Sequence, residues 1–164
     1  MAVEFTLSGE GFEPVRIGLE RFEDRGDDLE VPLGRMVRQW ERWEEDHFRQ
    51  EGARWGSKWQ PLSEKYAAWK EKKRPGEPIL VFDGTLKASL TKTGSEGAIR
   101  EIYSDRGRHG FVVGTNVEYA EAHQKGYDFG NGRVLPKRPI LYPIRDEEAR
   151  DLAKVLQSWI VKGN

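Results

Sequence analysis

The chain has 164 residues, a formal net charge of −1, 37% hydrophobic residues and no cysteine. These values predict one domain over residues 1–164 with a thin core, and they exclude disulfides, a thiolate nucleophile and cysteine-ligated zinc. Apolar runs are too short to span a membrane, and the first residues lack the basic and apolar regions of a secretory signal.

The first 50 residues predict two strands and then a long helix. Alternation of apolar residues over 3–7 and 14–20 predicts the strands, so residues 1–28 are a possible strand-rich N-terminal extension. From about Leu29 the apolar spacing becomes 3, 4, 3 and 4, which predicts a helix that ends near Gln50. Its stripe is Leu33, Met36, Trp40, Trp43 and His47, and its other faces carry Glu41, Arg42, Glu44 and Glu45.

The middle of the chain predicts a loop and short helices. Residues 53–61 form a loop with two tryptophans, and Ser63 is a suitable N-cap for a helix to about Lys73. Residues 79–90 fit two structures. Asp83-Gly84 between apolar runs is typical of a hairpin, whereas Asp83 before Leu86 and Leu90 fits the cap of a short helix, which we favour.

The last third predicts two strands and two helices. Strands are expected over 97–103 and 109–114, and a short helix over 117–125 that ends at Gly126. The Gly-rich segment 127–138 is predicted to be a long, functional loop, and Asp146 to cap a C-terminal helix. The predicted fold class is therefore α+β. It combines a small antiparallel sheet with several helices, including a long helix in the N-terminal half and the C-terminal helix.

The three histidines and the serines form no recognisable catalytic or metal-binding pattern. No two of His47, His109 and His123 stand four residues apart, Asp46 and His47 point apart on a helix, and His109 has no second ligand at strand spacing. No Gly-x-Ser-x-Gly or phosphate-binding loop occurs. A hydrolase or nuclease that uses His47 or His123 would rest on residue type alone. We therefore predict a protein that is not an enzyme, with no cofactor and no metal.

The charge is unevenly distributed along the chain. Residues 1–52 carry 14 acids and 7 bases, whereas residues 53–74 carry 7 bases and 2 acids. Such an uneven charge distribution suits copies that stack with an acidic face against a basic face.

Five of the six tryptophans lie between positions 40 and 69, and tryptophan is favoured both in cores and at interfaces. Aromatic residues among the bases of segment 54–74 also support an alternative function, a nucleic-acid-binding module.

Several short motifs occur in an order that resembles a known family. They are Trp59-Gln-Pro61-Leu62-Ser63, Gly84-x-Leu86, Val113-Gly114-Thr115, Tyr119-Ala120, His123-Gln124-x-Gly126 and Arg138-Pro139-Ile140-Leu141. With the final helix, they make residues 30–162 similar to the phage virion morphogenesis family, which includes tail-completion proteins of contractile-tailed and Mu-like phages. The strand-like start and the order Arg138-Pro139 depart from the family pattern.

The resemblance implies a structural role without catalysis. It implies a homo-oligomeric ring, a hexamer in our prediction, at the head–tail junction or tail top. Its partners would be connector, portal-side and tail-tube proteins, and DNA would pass through the channel without sequence-specific binding. The protein would reside in the neck or tail of the virion, and in the host cytoplasm during assembly, and would not contact a membrane.

Residue roles follow as hypotheses from the motifs. Trp59, Pro61 and Leu62 would anchor a loop onto the core. Gly114, Tyr119, His123 and Gly126 would set a strand-to-helix turn, with His123 in a buried hydrogen bond. The candidate assembly interface comprises Glu41, Glu44, Glu45, Arg133, Lys137 and Arg138.

Overall fold

The computed structural model describes residues 2–7, 29–105 and 108–162. In chain order the strands are β1 (Ala2–Leu7), β2 (Ala98–Asp105), β3 (Arg108–Thr115), β4 (Tyr127–Asp128) and β5 (Val134–Leu135). The helices are α1 (Glu30–Arg49), α2 (Glu64–Lys73), α3 (Thr85–Thr91), α4 (Ala120–Lys125) and α5 (Asp146–Lys162), with a 3₁₀ turn at Ala53–Trp55. The predicted α+β class is confirmed. The second predicted strand, near residues 14–20, lies outside the described residues.

The described residues belong to two compact units. The sheet unit comprises 3–7, 29–40, 100–105, 108–113 and 143–162, and the loop-rich unit comprises 41–99 and 114–142. The three-stranded sheet has the order β1-β3-β2, and β4 pairs with β5 in a separate antiparallel sheet. Within the part of the chain that the structure describes, no helix combines the length and apolarity needed to cross a membrane.

The sheet unit is closed by apolar side chains and by arginines that lie over tryptophan rings. Its buried residues include Leu33, Met36, Trp40, Phe111, Leu152 and Leu156. The Arg100 guanidinium lies 4.8 Å from the Trp40 ring centroid, and that of Arg35 lies 5.2 Å from the Trp159 centroid. Cation–π contacts of this kind let an arginine stem cover an aromatic surface.

The helix boundaries follow local signals. Helix α1 has the predicted length, and all five residues of its predicted stripe are buried. Ser63 caps α2, since its Oγ accepts from the Tyr66 amide at 3.4 Å. Residues 85–91 form a helix rather than a hairpin.

Two predicted caps differ in detail. The N-cap of α3 is Gly84, at a φ of 87°, and Asp83 Oδ1 instead accepts from the Thr85 amide at 2.9 Å. Asp146 is the first residue inside α5, and the Glu148 carboxylate accepts from the Arg145 amide at 3.1 Å. In both cases a side chain accepts from an amide that the helix start leaves without a carbonyl partner.

Candidate functional site

The candidate site lies in the loop-rich unit, where the loop after α1 meets the segment 138–141. Trp59 is 4% exposed. Its indole Nε1 donates to the Pro139 carbonyl at 2.7 Å, and its backbone amide donates to the Glu51 carbonyl at 2.7 Å. Because both polar groups of this residue bond to backbone, Trp59 fixes the loop to a segment 80 residues further along the chain.

The neighbouring motif residues act through backbone rather than side chain. Pro61 is exposed and Leu62 is half-buried, so their side chains bury less than the anchor hypothesis requires.

Gly52, which was not among the predicted motif residues, leaves the space that the Trp59 ring occupies. Its φ is 93°, and a Cβ there would lie 2.7 Å from Trp59 Cδ1. Its position just after a helix was the available signal.

The same carbonyl accepts a second hydrogen bond, from His47. This fully buried histidine lies 3.0 Å from the Pro139 oxygen through Nε2, and its ring packs against Trp55, Trp59 and Tyr142. Burial lowers its pKa to about 4, the hydrogen bond to Pro139 opposes that shift, and the Arg54 charge adds to it. His47 is therefore neutral at pH 7, and the proton that it donates is assigned to Nε2 from this bond.

The burial of His47 and its hydrogen bond to Pro139 favour a structural role for this side chain over metal binding. Within 2–7, 29–105 and 108–162, no group of three or more histidine, aspartate or glutamate side chains could hold a metal ion.

A second polar anchor of segment 138–141 is Gln124, a residue of the predicted motif to which no role was assigned. Its Oε1 accepts from the amides of Ile140 and Leu141 at 2.8 and 3.0 Å, and its Nε2 donates to the Leu141 carbonyl at 2.7 Å. One side-chain amide thus pairs this extended segment as a neighbouring strand would.

Arg138, a predicted interface residue, is buried, and a role for it in assembly stays a prediction. It is 3% exposed, and its Nε and Nη2 donate to the carbonyls of Gln60 and Pro61 at 2.7 and 2.9 Å. The extended backbone at 60–61 has carbonyls that no described strand satisfies, and the guanidinium fork supplies their donors.

Glu44 also lies elsewhere than predicted. Its charge predicted a place with Glu41 and Glu45 outside the apolar stripe, but Glu44 is fully buried. Position 44 is four residues after Trp40 and therefore shares its helix face. Glu41 accepts from Thr93 Oγ1 at 2.8 Å, and Glu45 forms an ion pair with Lys87 at 2.6 Å. A role for these residues in assembly stays a prediction.

The turn residues adopt specific geometries. Gly126 ends α4 at a φ of 78°, and a Cβ there would lie 3.1 Å from the Leu135 carbonyl. Gly114 is a buried residue of β3, and the next residue, Thr115, shares a 2.8 Å hydrogen bond with Ser89. His123 is half-buried with its ring edge-on to Tyr119. Its Nδ1 has no hydrogen-bond partner among the described residues, so the predicted buried bond is not formed by that atom.

Segment 127–138 is a hairpin rather than a plain loop. We call residues 127–135 the hairpin; Tyr127 pairs with Leu135 and Asp128 with Val134. Asp128 and Asn131 each accept from the amide two residues on, at 2.8 and 3.2 Å, which builds the turn from the side-chain bonds typical of Asx residues. Two exposed side chains of the interface hypothesis, Arg133 and Lys137, flank its second strand.

The hairpin exposes three large apolar side chains. Tyr127, Phe129 and Val134 are 54%, 52% and 65% exposed. Tyr127 and Phe129 contact each other edge-on with centroids 4.9 Å apart, and the Arg133 guanidinium lies 5.5 Å from the Phe129 centroid. Clustered exposed aromatic side chains beside an arginine are typical of protein interfaces.

Aromatic rings of the basic segment 54–74 pack against each other and against Phe82. Trp69 stacks on Phe82 with centroids 5.5 Å apart, and Tyr66 lies 5.4 Å from Trp69. Arg74 lies over the Phe82 ring at 5.5 Å. Single-strand binders stack bases on free aromatic faces, so this arrangement favours an internal role for the rings over base stacking.

Comparison with known proteins gives one match. A sequence model of the phage virion morphogenesis family matches residues 11–160. No curated protein and no solved structure matches the chain.

Proposed function

Since this chain belongs to the phage virion morphogenesis family, we propose that it is a non-enzymatic structural subunit of a tailed phage or prophage. In this proposal, copies of the chain form a ring at the head–tail junction or the top of the tail. The ring completes the tail and stabilises its joining to the head. The protein would therefore reside in the neck or tail of the virion.

The exposed apolar surface of the hairpin is the structural observation that supports this function. A ring is built from heterologous contacts, in which one surface of a subunit packs on a different surface of the next. Tyr127 and Phe129 give each copy an exposed aromatic pair beside the cation Arg133, whereas Val134 pairs with Asp128 and lies on the other side of the hairpin. The half-buried acids Glu41 and Glu45 on α1 carry charge of the opposite sign for the neighbouring copy.

The proposal is tested by the absolute mass of the protein in solution. Light scattering behind a sizing column, across a range of concentrations, is expected to give a discrete mass that corresponds to a closed ring, with six subunits as our expectation. A protein that stays monomeric at every concentration and also when mixed with its connector and tail-tube partners would contradict the proposal.

A deletion locates the contact. Removing residues 129–134 is expected to leave a folded protein that no longer assembles, because the apolar surface is lost while the tethers of Trp59 and Arg138 remain. The matched control is Lys72→Ser on the exposed face of α2, which is expected to assemble normally. Normal assembly of the deletion variant would show that the hairpin is not the contact, and its unfolding would show that the hairpin is part of the core.

A further inference from the structure

The loop-rich unit contains a cavity of about 780 Å³ that the proposed function does not use. Tyr66, Phe82, Tyr119 and Leu135 contribute apolar and aromatic wall. This volume lies within the range in which proteins bind small molecules or the side chains of a peptide. Three basic side chains, Lys70, His123 and Arg138, line the same cavity.

Arg138 is a buried cation without a described carboxylate partner. Among the described residues, its side chain bonds to the backbone carbonyls of Gln60 and Pro61. Burial lowers the pKa of the guanidinium, and the neighbouring Tyr66 opposes that shift. Arginine stays protonated in proteins, so the charge remains. A charge removed from water is costly unless an opposite charge joins it.

Lys70 is a second buried cation on the cavity wall and is 4% exposed. Its ammonium donates to the carbonyls of Glu77 and Pro78 at 2.7 and 2.5 Å. An ammonium has three N–H groups, so these two bonds leave one donor. Within the described chain no carboxylate lies at ion-pair distance from Lys70, although Glu77, Glu51 and Glu71 raise its pKa from further away against the lowering by burial.

The cavity wall does contain one acid, Asp83, which has a different task. Its Oδ1 accepts from the Thr85 amide at 2.9 Å at the start of α3. Bonding to Thr85 also lowers the pKa of Asp83. Asp83 stays ionised but is exposed, and within the described chain it forms no ion pair with Lys70 or Arg138, so the two buried cations are left for a carboxylate from outside.

We propose that this cavity receives a carboxylate-bearing segment of a partner polypeptide. Charge complementarity identifies the occupant. An aspartate or glutamate side chain, or a chain terminus, meets Arg138 and Lys70, and an adjacent apolar side chain packs against Tyr119 and Phe82. The inference goes beyond the ring, since peptide binding is a property of one subunit and is measured whether or not a ring forms.

The test uses ligand-observed saturation-transfer NMR, which works for a monomer and for a ring. The probe is the peptide acetyl-Phe-Glu-Leu-amide, and its matched control carries glutamine in place of glutamate. The acidic peptide is expected to bind weakly, with a Kd of about 1 mM, because a short flexible peptide loses conformational freedom on binding and so stays far from the affinity limit for a ligand of its size. The glutamine peptide is expected to bind about tenfold more weakly, because charge-assisted hydrogen bonds are lost.

An exposed rim position localises the binding without disturbing the core. Val134 lines the cavity and is 65% exposed. Val134→Glu is expected to weaken binding of the acidic peptide several-fold through repulsion of its charge, whereas the uncharged variant Val134→Gln is expected to weaken it less. Arg138→Gln is expected to abolish the preference for glutamate, with thermal unfolding as the check on its fold.

The inference is overturned by equal binding of the two peptides, by no saturation transfer to either one, or by equal binding to the two Val134 variants. Sodium acetate distinguishes the source of the carboxylate. Weaker binding of acetate supports a polypeptide segment, whereas binding of acetate as tight as that of the peptide would identify a site for small free anions and contradict the partner.

Discussion

The Pro139 junction and the hairpin use the same kinds of side chain for opposite purposes. We call His47, Trp59, Gln124, Arg138 and Pro139 the Pro139 junction. There, aromatic and arginine side chains are buried and their polar groups bond to backbone. In the hairpin, Tyr127, Phe129 and Arg133 contact one another but stay exposed. Residue type alone therefore does not tell whether an aromatic or arginine side chain stabilises the fold or stays exposed for contact with another protein.

The largest expected effect is the loss of Trp59. Trp59→Ala is expected to lower the free energy of unfolding by about 3–5 kcal/mol, because it leaves a cavity and removes a donor from the Pro139 carbonyl. Urea unfolding at pH 7 measures the change. Trp69→Ala is the matched control at an exposed ring, with an expected loss of about 1 kcal/mol. Similar losses for the two variants would erase the difference between buried and exposed aromatic residues.

Acid is expected to destabilise the junction through His47. Folding lowers its pKa from 6.5 to about 4, so between these values the unfolded chain binds more protons than the folded one. The contribution is complete above about pH 6.5 and is lost as the pH falls toward about 4, by about 3 kcal/mol in total. Urea unfolding across this range is compared between the native chain and His47→Gln. Parallel pH profiles for the two would show that His47 is not the group responsible.

Arg138 is expected to contribute to stability where Arg133 does not. Arg138→Met leaves the carbonyls of Gln60 and Pro61 without donors and is expected to cost about 2–3 kcal/mol of unfolding free energy. Arg133→Met, at an exposed position, is expected to change it by less than about 0.5 kcal/mol. Chemical denaturation of both variants makes the comparison. An Arg138 variant as stable as the native protein would return this residue to the list of interface candidates.

The smallest effect on stability is expected in the hairpin. The double variant Phe129→Ser, Val134→Thr is expected to change the unfolding free energy by less than about 1 kcal/mol, since both side chains are more than half exposed. The same variant is expected to reduce the mass measured by light scattering from a ring to a monomer. If this variant lost stability but still assembled, the hairpin would be part of the stabilising core and not an assembly surface.

Local signals predicted much of the fold. The apolar stripe of α1, the Ser63 cap and the end of α4 at Gly126 depend on residues within a few positions of one another, and the structure contains all three. The hairpin was missed because its strands have two residues each. Alternation cannot be recognised over so short a length.

The site was less predictable because its contacts are distant in sequence. Trp59 and Arg138 were singled out, yet no spacing rule shows that they bond to backbone 80 and 78 residues away. Glu44 was assigned to an exposed face because it is charged, although its helical position shares the face of Trp40. Charged residues are so seldom buried that residue type favours the wrong answer here.

The shared Pro139 carbonyl also constrains when the protein can fold. His47 and Trp59 are 92 and 80 residues ahead of their acceptor. At ribosomal speeds of about 5–20 residues per second, roughly 4–16 s separate the synthesis of Trp59 from that of Pro139. During that interval the nascent chain carries the tryptophan-rich loop without its anchor. Closure of so long a loop is expected to be a late folding step, and an assembly intermediate that recruits this chain before its C-terminal third is made would meet an incomplete subunit.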